Sequence, residues 1–161
     1  MKGSRLKIGI GIIIGCMISV LFYSCDRNSV YSESIAILND GWSKDQKLVF
    51  TPQIEENAKT YNIYFWVRHT KGYKYSNIWL KLNSDPSLVN DTTGLLEIPI
   101  ADATGKWLGE CTQSVCTAKI LLKENFRFEN TSAFRLEVQQ YMREDNLSEI
   151  KNVGLIFELA E

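Results

Sequence analysis

With 161 residues, 45% of them hydrophobic and 23% charged, the chain has the composition of an ordinary globular protein and room for one domain, with no space for a second catalytic unit. Removal of residues 1–24, which hold Lys2, Arg5 and Lys7, leaves 15 basic against 19 acidic side chains, a net of about −4. An acidic chain with no lysine or arginine block has no stripe on which to displace counterions from phosphates, and nucleic-acid binding is set aside on that ground.

The first element in chain order is an export signal. Lys2, Arg5 and Lys7 precede an uncharged apolar run at 8–23, the charged and hydrophobic regions of a secretory leader. The run is shorter than the roughly 20 residues that cross a bilayer core as a helix, and it ends in Leu21-Phe22-Tyr23-Ser24-Cys25. A small residue before a cysteine at the end of such a run resembles a lipobox, so residues 1–24 are expected to be removed and Cys25 to carry the lipid. Phe22 and Tyr23 are bulkier than the strict pattern, and an uncleaved anchor helix is the competing reading. Cys16, behind Gly15, is the rival acceptor. Cleavage there would leave the apolar stretch 17–23 at the new amino terminus, whereas Asp26-Arg27-Asn28 follow Cys25. At about 0.8 kcal/mol per buried methylene one acyl chain anchors marginally, while the three of a mature bacterial lipoprotein anchor durably.

Residues 25–34 are polar and serine-rich and read as the lipidated terminus and a tether; 35–161 form the domain. From there the hydrophobic period is two. Tyr61, Ile63, Phe65 and Val67 alternate with Asn62, Tyr64, Trp66 and Arg68; Ile78, Leu80 and Leu82 with Trp79 and Lys81; Phe134, Leu136 and Val138 with Arg135, Glu137 and Gln139; Val153, Leu155, Phe157 and Leu159 with Gly154 and Glu158. Weaker strands are expected at 35–38, 47–51, 95–100 and 118–123. Turn-formers such as Asn39-Asp40-Gly41, Lys71-Gly72 and Asp102-Ala103-Thr104-Gly105 separate them. Seven or eight short strands at this spacing predict an all-β fold, a single antiparallel β-sandwich of jelly-roll type. The only helix entertained is a short one at 105–109, with a turn near 145–149.

Chemistry-bearing patterns are sparse. His69 is the only imidazole, stands at a strand exit without a nucleophile motif, and reads as solvent-facing, so no hydrolytic triad is proposed and the chain is expected not to be an enzyme. The Gly105-Lys106 pair is no phosphate loop, since Ile100 stands where the first glycine belongs and Trp107 where the magnesium-binding Ser/Thr belongs. Cys111 and Cys116 form a possible disulfide in an oxidising compartment, and two thiols are too few for a metal site. No cofactor is implied. Trp66, Trp79, Tyr73, Tyr75 and Trp107 serve either core packing or an interaction surface. Asn90, Asn130 and Asn146 begin Asn-x-Ser/Thr triplets and Thr92 sits in an Asp-Thr-Thr sequence; none is taken as a glycosylation site.

Over the whole mature length the chain resembles the GldH gliding-motility lipoproteins. The resemblance is carried by Gly41-Trp42, Tyr61-Asn62 with Arg68, Tyr73-Lys74-Tyr75-Ser76-Asn77-Ile78, Asp102 with Gly105-Lys106-Trp107-Leu108-Gly109, Gln139-Gln140 through Met142-Arg143, and Val153-Gly154-Leu155. The cysteine pair is not part of it. The resemblance implies a non-enzymatic component of the cell-envelope machinery for gliding, linked to type IX secretion. It implies partners among other gliding-motility lipoproteins and envelope proteins, and attachment to a membrane through lipid, favouring the periplasmic face of the outer membrane over the inner membrane. The candidate interaction residues are Tyr75, Asn77, Gly105, Lys106, Trp107, Gly109 and Arg143, on loops that a rigid sandwich would position. Structural roles compete: glycines for turns, Trp107 as a plug, Arg143 capped by a carboxylate. A surface or periplasmic glycan-binding lipoprotein is the alternative function.

Overall fold

A computed structural model describes residues 29–38, 41–54, 59–85, 88, 93–128 and 134–160. The leader, Cys25, Asn90, Thr92 and Asn130 lie outside the described residues.

The fold is all-β, and every strand pairing is antiparallel. The strands are β1 (Ser29–Ala36), β2 (Trp42–Ser43), β3 (Leu48–Phe50), β4 (Thr60–Thr70), β5 (Asn77–Asp85), β6 (Leu95–Pro99), β7 (Glu110–Cys111), β8 (Val115–Arg127), β9 (Arg135–Gln140), β10 (Asn146–Leu147) and β11 (Ile150–Leu159). A five-stranded sheet in the order β1-β11-β4-β8-β7 faces a four-stranded sheet in the order β3-β9-β5-β6, and β10 with β2 forms a small third ribbon.

The period-two pattern explains the layering. Ile63, Phe65 and Val67 of β4 and Val153, Leu155 and Phe157 of β11 point inward from the larger sheet; Ile78, Leu80 and Leu82 of β5 and Leu136 and Val138 of β9 meet them from the smaller one. Phe50 meets Phe65 edge-on at 6.3 Å, and Phe134 meets Phe157 at 5.9 Å, so the two sheets interdigitate. Each large side chain fully buried in this way contributes about 1.5–3 kcal/mol relative to exposure. Trp42 fills the gap under the small ribbon, with its indole N–H on the Gln46 carbonyl at 3.1 Å.

The register fixes two ends. Ser29 pairs with Glu158 and Tyr61 with Leu159, so the start of β1, the start of β4 and the end of β11 share one end. Thr70 pairs with Val115 at the other end, where its amide also bonds the Glu149 carbonyl. These are called the near and far ends below.

Two expectations are corrected. Residues 29–34, read as tether, belong to β1. It is an edge strand whose eight residues are all half-buried or exposed, so it lacks the hydrophobic stripe that marks its neighbours. The short helix at 105–109 is instead a turn closed by a bridge between Ala101 and Trp107.

A candidate interaction groove at the far end

β5 turns Ile78, Leu80 and Leu82 inward, which leaves Trp79 on the outer face, 37% exposed. Beside it, the Tyr141 amide donates to the Trp79 carbonyl at 2.7 Å and carries the pairing one residue past β9, so the Tyr141 ring, 52% exposed, joins Trp79 on that face. Leu95 of β6 lies across from Lys81 on the other flank.

The segment 141–145 is shaped by a buried side chain. Gln140 is fully buried; its amide nitrogen donates to the Glu144 carbonyl at 2.9 Å and its amide oxygen accepts from the Met142 N–H at 2.8 Å. One side-chain amide thus satisfies both a donor and an acceptor that a tight turn would otherwise leave unpaired. The Met142 sulfur in turn accepts the Trp79 N–H at 3.2 Å. From above, the Tyr75 hydroxyl donates to the Glu144 carboxylate, and the Tyr73 hydroxyl donates to the Asn77 carbonyl at 2.9 Å. The bond to Glu144 holds the Tyr75 phenol above its ordinary pKa, and burial raises that of Tyr73, so both remain neutral donors.

These pieces form a cleft of about 530 Å³ lined by the apolar and aromatic side chains of Trp79, Tyr141, Leu95 and Met142 together with Tyr75, Arg143 and Glu144. A lining of this kind stacks on rings and buries apolar groups. Met142 adds a deformable wall and Arg143 a fixed positive charge.

The candidate residues divide into two groups. Tyr75 and Arg143 both line the groove, whereas Asn77 does not; its amide donates to Glu97 at 2.6 Å. Arg143 has no carboxylate partner among the described residues, so the competing role, a residue capped by a carboxylate, is not seen there. Gly105, Lys106, Trp107 and Gly109 lie apart, in a loop that closes the far end of the sandwich. There one Asp102 carboxylate oxygen accepts from the Thr104 hydroxyl at 2.7 Å, the Thr104 amide at 2.8 Å and the Lys106 amide at 3.0 Å. Those bonds, led by the Thr104 hydroxyl, hold Asp102 below the usual carboxylate range. Gly105 sits at φ +82°, where a side chain is strained, and Gly109 passes so close to the Thr117 carbonyl that a Cβ has no room. Lys106 is exposed.

Trp107 is half-buried and packs on His69 at 4.9 Å between ring centroids. His69 itself corrects the expectation of a solvent-facing residue: it is fully buried, with Nδ1 2.9 Å from the Thr70 carbonyl and no hydrogen bond to Nε2. Burial lowers its pKa. Cys116, its partner in register on β8, is buried too, and is joined in a disulfide to Cys111 across the β7–β8 hairpin. The Thr112 amide bonds the Val115 carbonyl at 2.9 Å, so the cysteines occupy the adjacent, non-hydrogen-bonded pair, where Cα atoms come closest; theirs are 4.0 Å apart.

Of the aromatics left open between core and surface, Trp66 is packed and only 8% exposed, while Trp79 is presented. Sequence reasoning missed Tyr141, Leu95 and Glu144. The parity of Phe134, Leu136 and Val138, extended three residues, places Tyr141 outward and was the available signal.

A family model described as GldH lipoprotein matches residues 29–156. Among proteins similar to this chain, the gliding motility lipoprotein GldH homolog of Christiangramia forsetii is 27% identical over 155 residues, covering 92% of this chain and 93% of that one. The gliding motility lipoprotein GldH of Flavobacterium johnsoniae is 23% identical over 134 residues, covering 83% and 81%. Among solved structures, that of tomato aspermy virus overlaps with a TM-score of 0.35 at 13% identity, over 95% of this chain and 94% of that one, too loosely to bear on function.

Proposed function

The chain belongs to the GldH lipoprotein family, and from that membership we propose that it is a gliding-motility lipoprotein: a non-enzymatic part of the envelope machinery tied to gliding and type IX secretion. It is held through lipid on Cys25 at the periplasmic face of the outer membrane and works beside other gliding-motility lipoproteins and envelope proteins. The observation that carries this reading is the match across 29–156, nearly the whole exported domain, with two relatives named for gliding motility.

The geometry supports it. Cys25 precedes Ser29 by four residues, a reach of roughly 14 Å, so the near end stands by the bilayer. The eleven-residue β4, about 33 Å long at ~3.3 Å per residue, separates that end from the far end, where the groove opens. The groove therefore lies on the outer face of the four-stranded sheet toward the end remote from the anchor, within reach of soluble or envelope-bound partners. The exposed rings of Trp79 and Tyr141 also favour a second reading, a glycan-binding lipoprotein, because adjacent exposed aromatics are what sugar rings stack on.

The test is an in-frame deletion in the native host, complemented by wild type or by Cys25→Ala, with colony spreading and the secreted proteome scored together. Loss of either, restored only by the form that can be lipidated, is expected. Unchanged spreading and secretion would remove the machinery role and leave the glycan reading to be tried on polysaccharide arrays.

A further inference from the structure

We infer that the Cys111–Cys116 disulfide is an exchange site for a partner protein that carries a dithiol: an incoming thiolate attacks Cys111, and the Cys116 thiol that is released donates to Nε2 of His69. The inference goes beyond the gliding role and does not depend on it.

The two sulfurs are unequally placed. Cys111 is exposed on β7, a strand of two residues at the edge of its sheet, whereas Cys116 is fully buried. Exchange requires access to one sulfur, so attack falls on Cys111 and Cys116 is the leaving group. The bond ties little else, because β7 pairs with β8 only through Glu110 with Thr117 and Cys111 with Cys116, while β8 keeps its own pairing with β4.

The leaving sulfur has an acceptor waiting. Cys116 stands directly opposite His69 in the register of β8 on β4, and both are fully buried on the inner face. A carbonyl oxygen only accepts, so the 2.9 Å contact with Thr70 places the ring proton on Nδ1 and leaves Nε2 as a buried lone pair with no hydrogen bond. Its aromatic neighbours do not fill that need: the Tyr73 hydroxyl is committed to the Asn77 carbonyl, and Trp107 meets the imidazole by packing. A disulfide sulfur has no proton to give, but a thiol does. Side chains directly opposite on one face have Cβ atoms about 4.5–5.5 Å apart, so a freed Cys116 thiol reaches the imidazole by side-chain rotation.

The exchange balances. The dithiol's thiolate forms a bond to Cys111 Sγ, the Cys111–Cys116 bond breaks, and its electron pair leaves on Cys116 Sγ, which takes up a proton. The second thiol of the partner then displaces Cys111, so the partner is oxidised to a disulfide and two electrons and two protons reach the cysteines. Trp107 packs on the same imidazole, which links the exchange to the loop 105–109.

The test uses the full lipoprotein in detergent micelles. A pulse of reduced glutathione quenched with N-ethylmaleimide is expected to leave glutathione on Cys111 and none on Cys116 by peptide mass mapping. His69 is the only histidine, so 15N-histidine labelling gives a single pair of ring nitrogens. Reduction with dithiothreitol is expected to move Nε2 to the shift of a hydrogen-bonded acceptor while Nδ1 stays protonated, and the Cys111→Ala/Cys116→Ala variant, which lacks both bridge and thiol, is expected to keep the oxidised shift. In mixtures of reduced and oxidised dithiothreitol, His69→Phe is expected to need at least about threefold more of the reduced form at half-reduction, as the loss of one weak hydrogen bond implies. Nε2 unmoved by reduction, the same movement in the double alanine variant, glutathione on Cys116, or an unchanged midpoint in folded His69→Phe would each overturn the inference. Should His69→Phe not fold, the nitrogen shifts decide alone.

Discussion

The outer face of the five-stranded sheet contains a contact whose energetics can be worked out in advance. Gly154 of β11 pairs directly with Trp66 of β4, and the indole sits so close to the glycine that a Cβ would fall 2.1–2.4 Å from its ring atoms. The Arg68 guanidinium lies over the same ring at 5.3 Å, and with these contacts a tryptophan on an outward face is only 8% exposed. Gly154→Ala therefore has to displace the indole. The overpacking cost is of order 1–3 kcal/mol, with some loss of the ring's burial on top. With Trp66 removed, the same substitution meets open space, and alanine in a strand is at least as favourable as glycine, so it is neutral or stabilising by a few tenths of a kcal/mol. A double-mutant cycle over wild type, Gly154→Ala, Trp66→Ala and the double variant, read by urea unfolding through far-UV circular dichroism, is expected to give a coupling of about 1–3 kcal/mol. Equal destabilisation by Gly154→Ala in both backgrounds would refute the packing argument and place the need for glycine in the backbone instead.

Further expectations follow from the far end. Reduction of Cys111–Cys116, which closes a ring with a sequence separation of only 5, is expected to cost about 2 kcal/mol on the chain-entropy estimate, lowering the thermal midpoint while the folded circular dichroism spectrum is retained; an unfolded spectrum on reduction contradicts this. Gln140→Ala removes the partner of the Met142 N–H and the Glu144 carbonyl; with Met142 half-buried and Glu144 exposed, water takes up part of the loss and the cost is about 0.5–1.5 kcal/mol. Its sharper signature is faster hydrogen exchange confined to 141–145, and exchange unchanged there would sink the assigned role. His69 is held neutral, its folded pKa below the ordinary 6.5, so below pH 6.5 the unfolded chain takes up a proton that the folded chain refuses. Stability is therefore full above that value and lost as pH falls from it toward the folded pKa, by at most ~1.4 kcal/mol per pH unit. Urea midpoints between pH 7.5 and 5.5 are expected to fall in wild type and to flatten in His69→Phe, and parallel curves for the two proteins argue against it.

How much of this was legible in sequence depends on what each strand touches. β4, β5, β9 and β11 each bury one face in the common core, so apolar residues recur at every second position and the strands declare themselves. β1 shares a neighbour on one side only, and β2, β7 and β10 are two residues long, too short to hold a period. The two buried polar residues among those described were missed for a single reason. His69 continues the inward stripe of Ile63, Phe65 and Val67, and Gln140 that of Leu136 and Val138; alternation alone places both inside. Reading hydrophobicity rather than parity stopped each stripe one residue early. Trp66 and Trp79 show the opposite limit. Both are outward by parity, and what buries one is Gly154, far along the chain, so no local pattern distinguishes them.

The unequal construction of the two ends fits a protein held at one and read at the other. Near the start of β1 the sandwich is sealed by rings on rings: Phe128 stacks on Phe157 at 5.5 Å and meets Phe134 at 5.2 Å and Tyr61 at 5.7 Å. Such a plug needs no precise loop geometry, since apolar burial is non-directional. The far end is closed by directional contacts instead: the Asp102 turn, the Gln140 clamp, the His69–Trp107 pair and the disulfide hairpin. Polar clamps of this kind fix loop positions to within hydrogen-bond tolerances, which is what a binding groove demands of its lining and what merely closing the end of a sandwich does not. Of these contacts the Gln140 clamp sets the groove segment 140–145, joined by the bond from the Tyr75 hydroxyl to Glu144, while the Asp102 turn, the His69–Trp107 pair and the disulfide hold the separate loop that closes the same end.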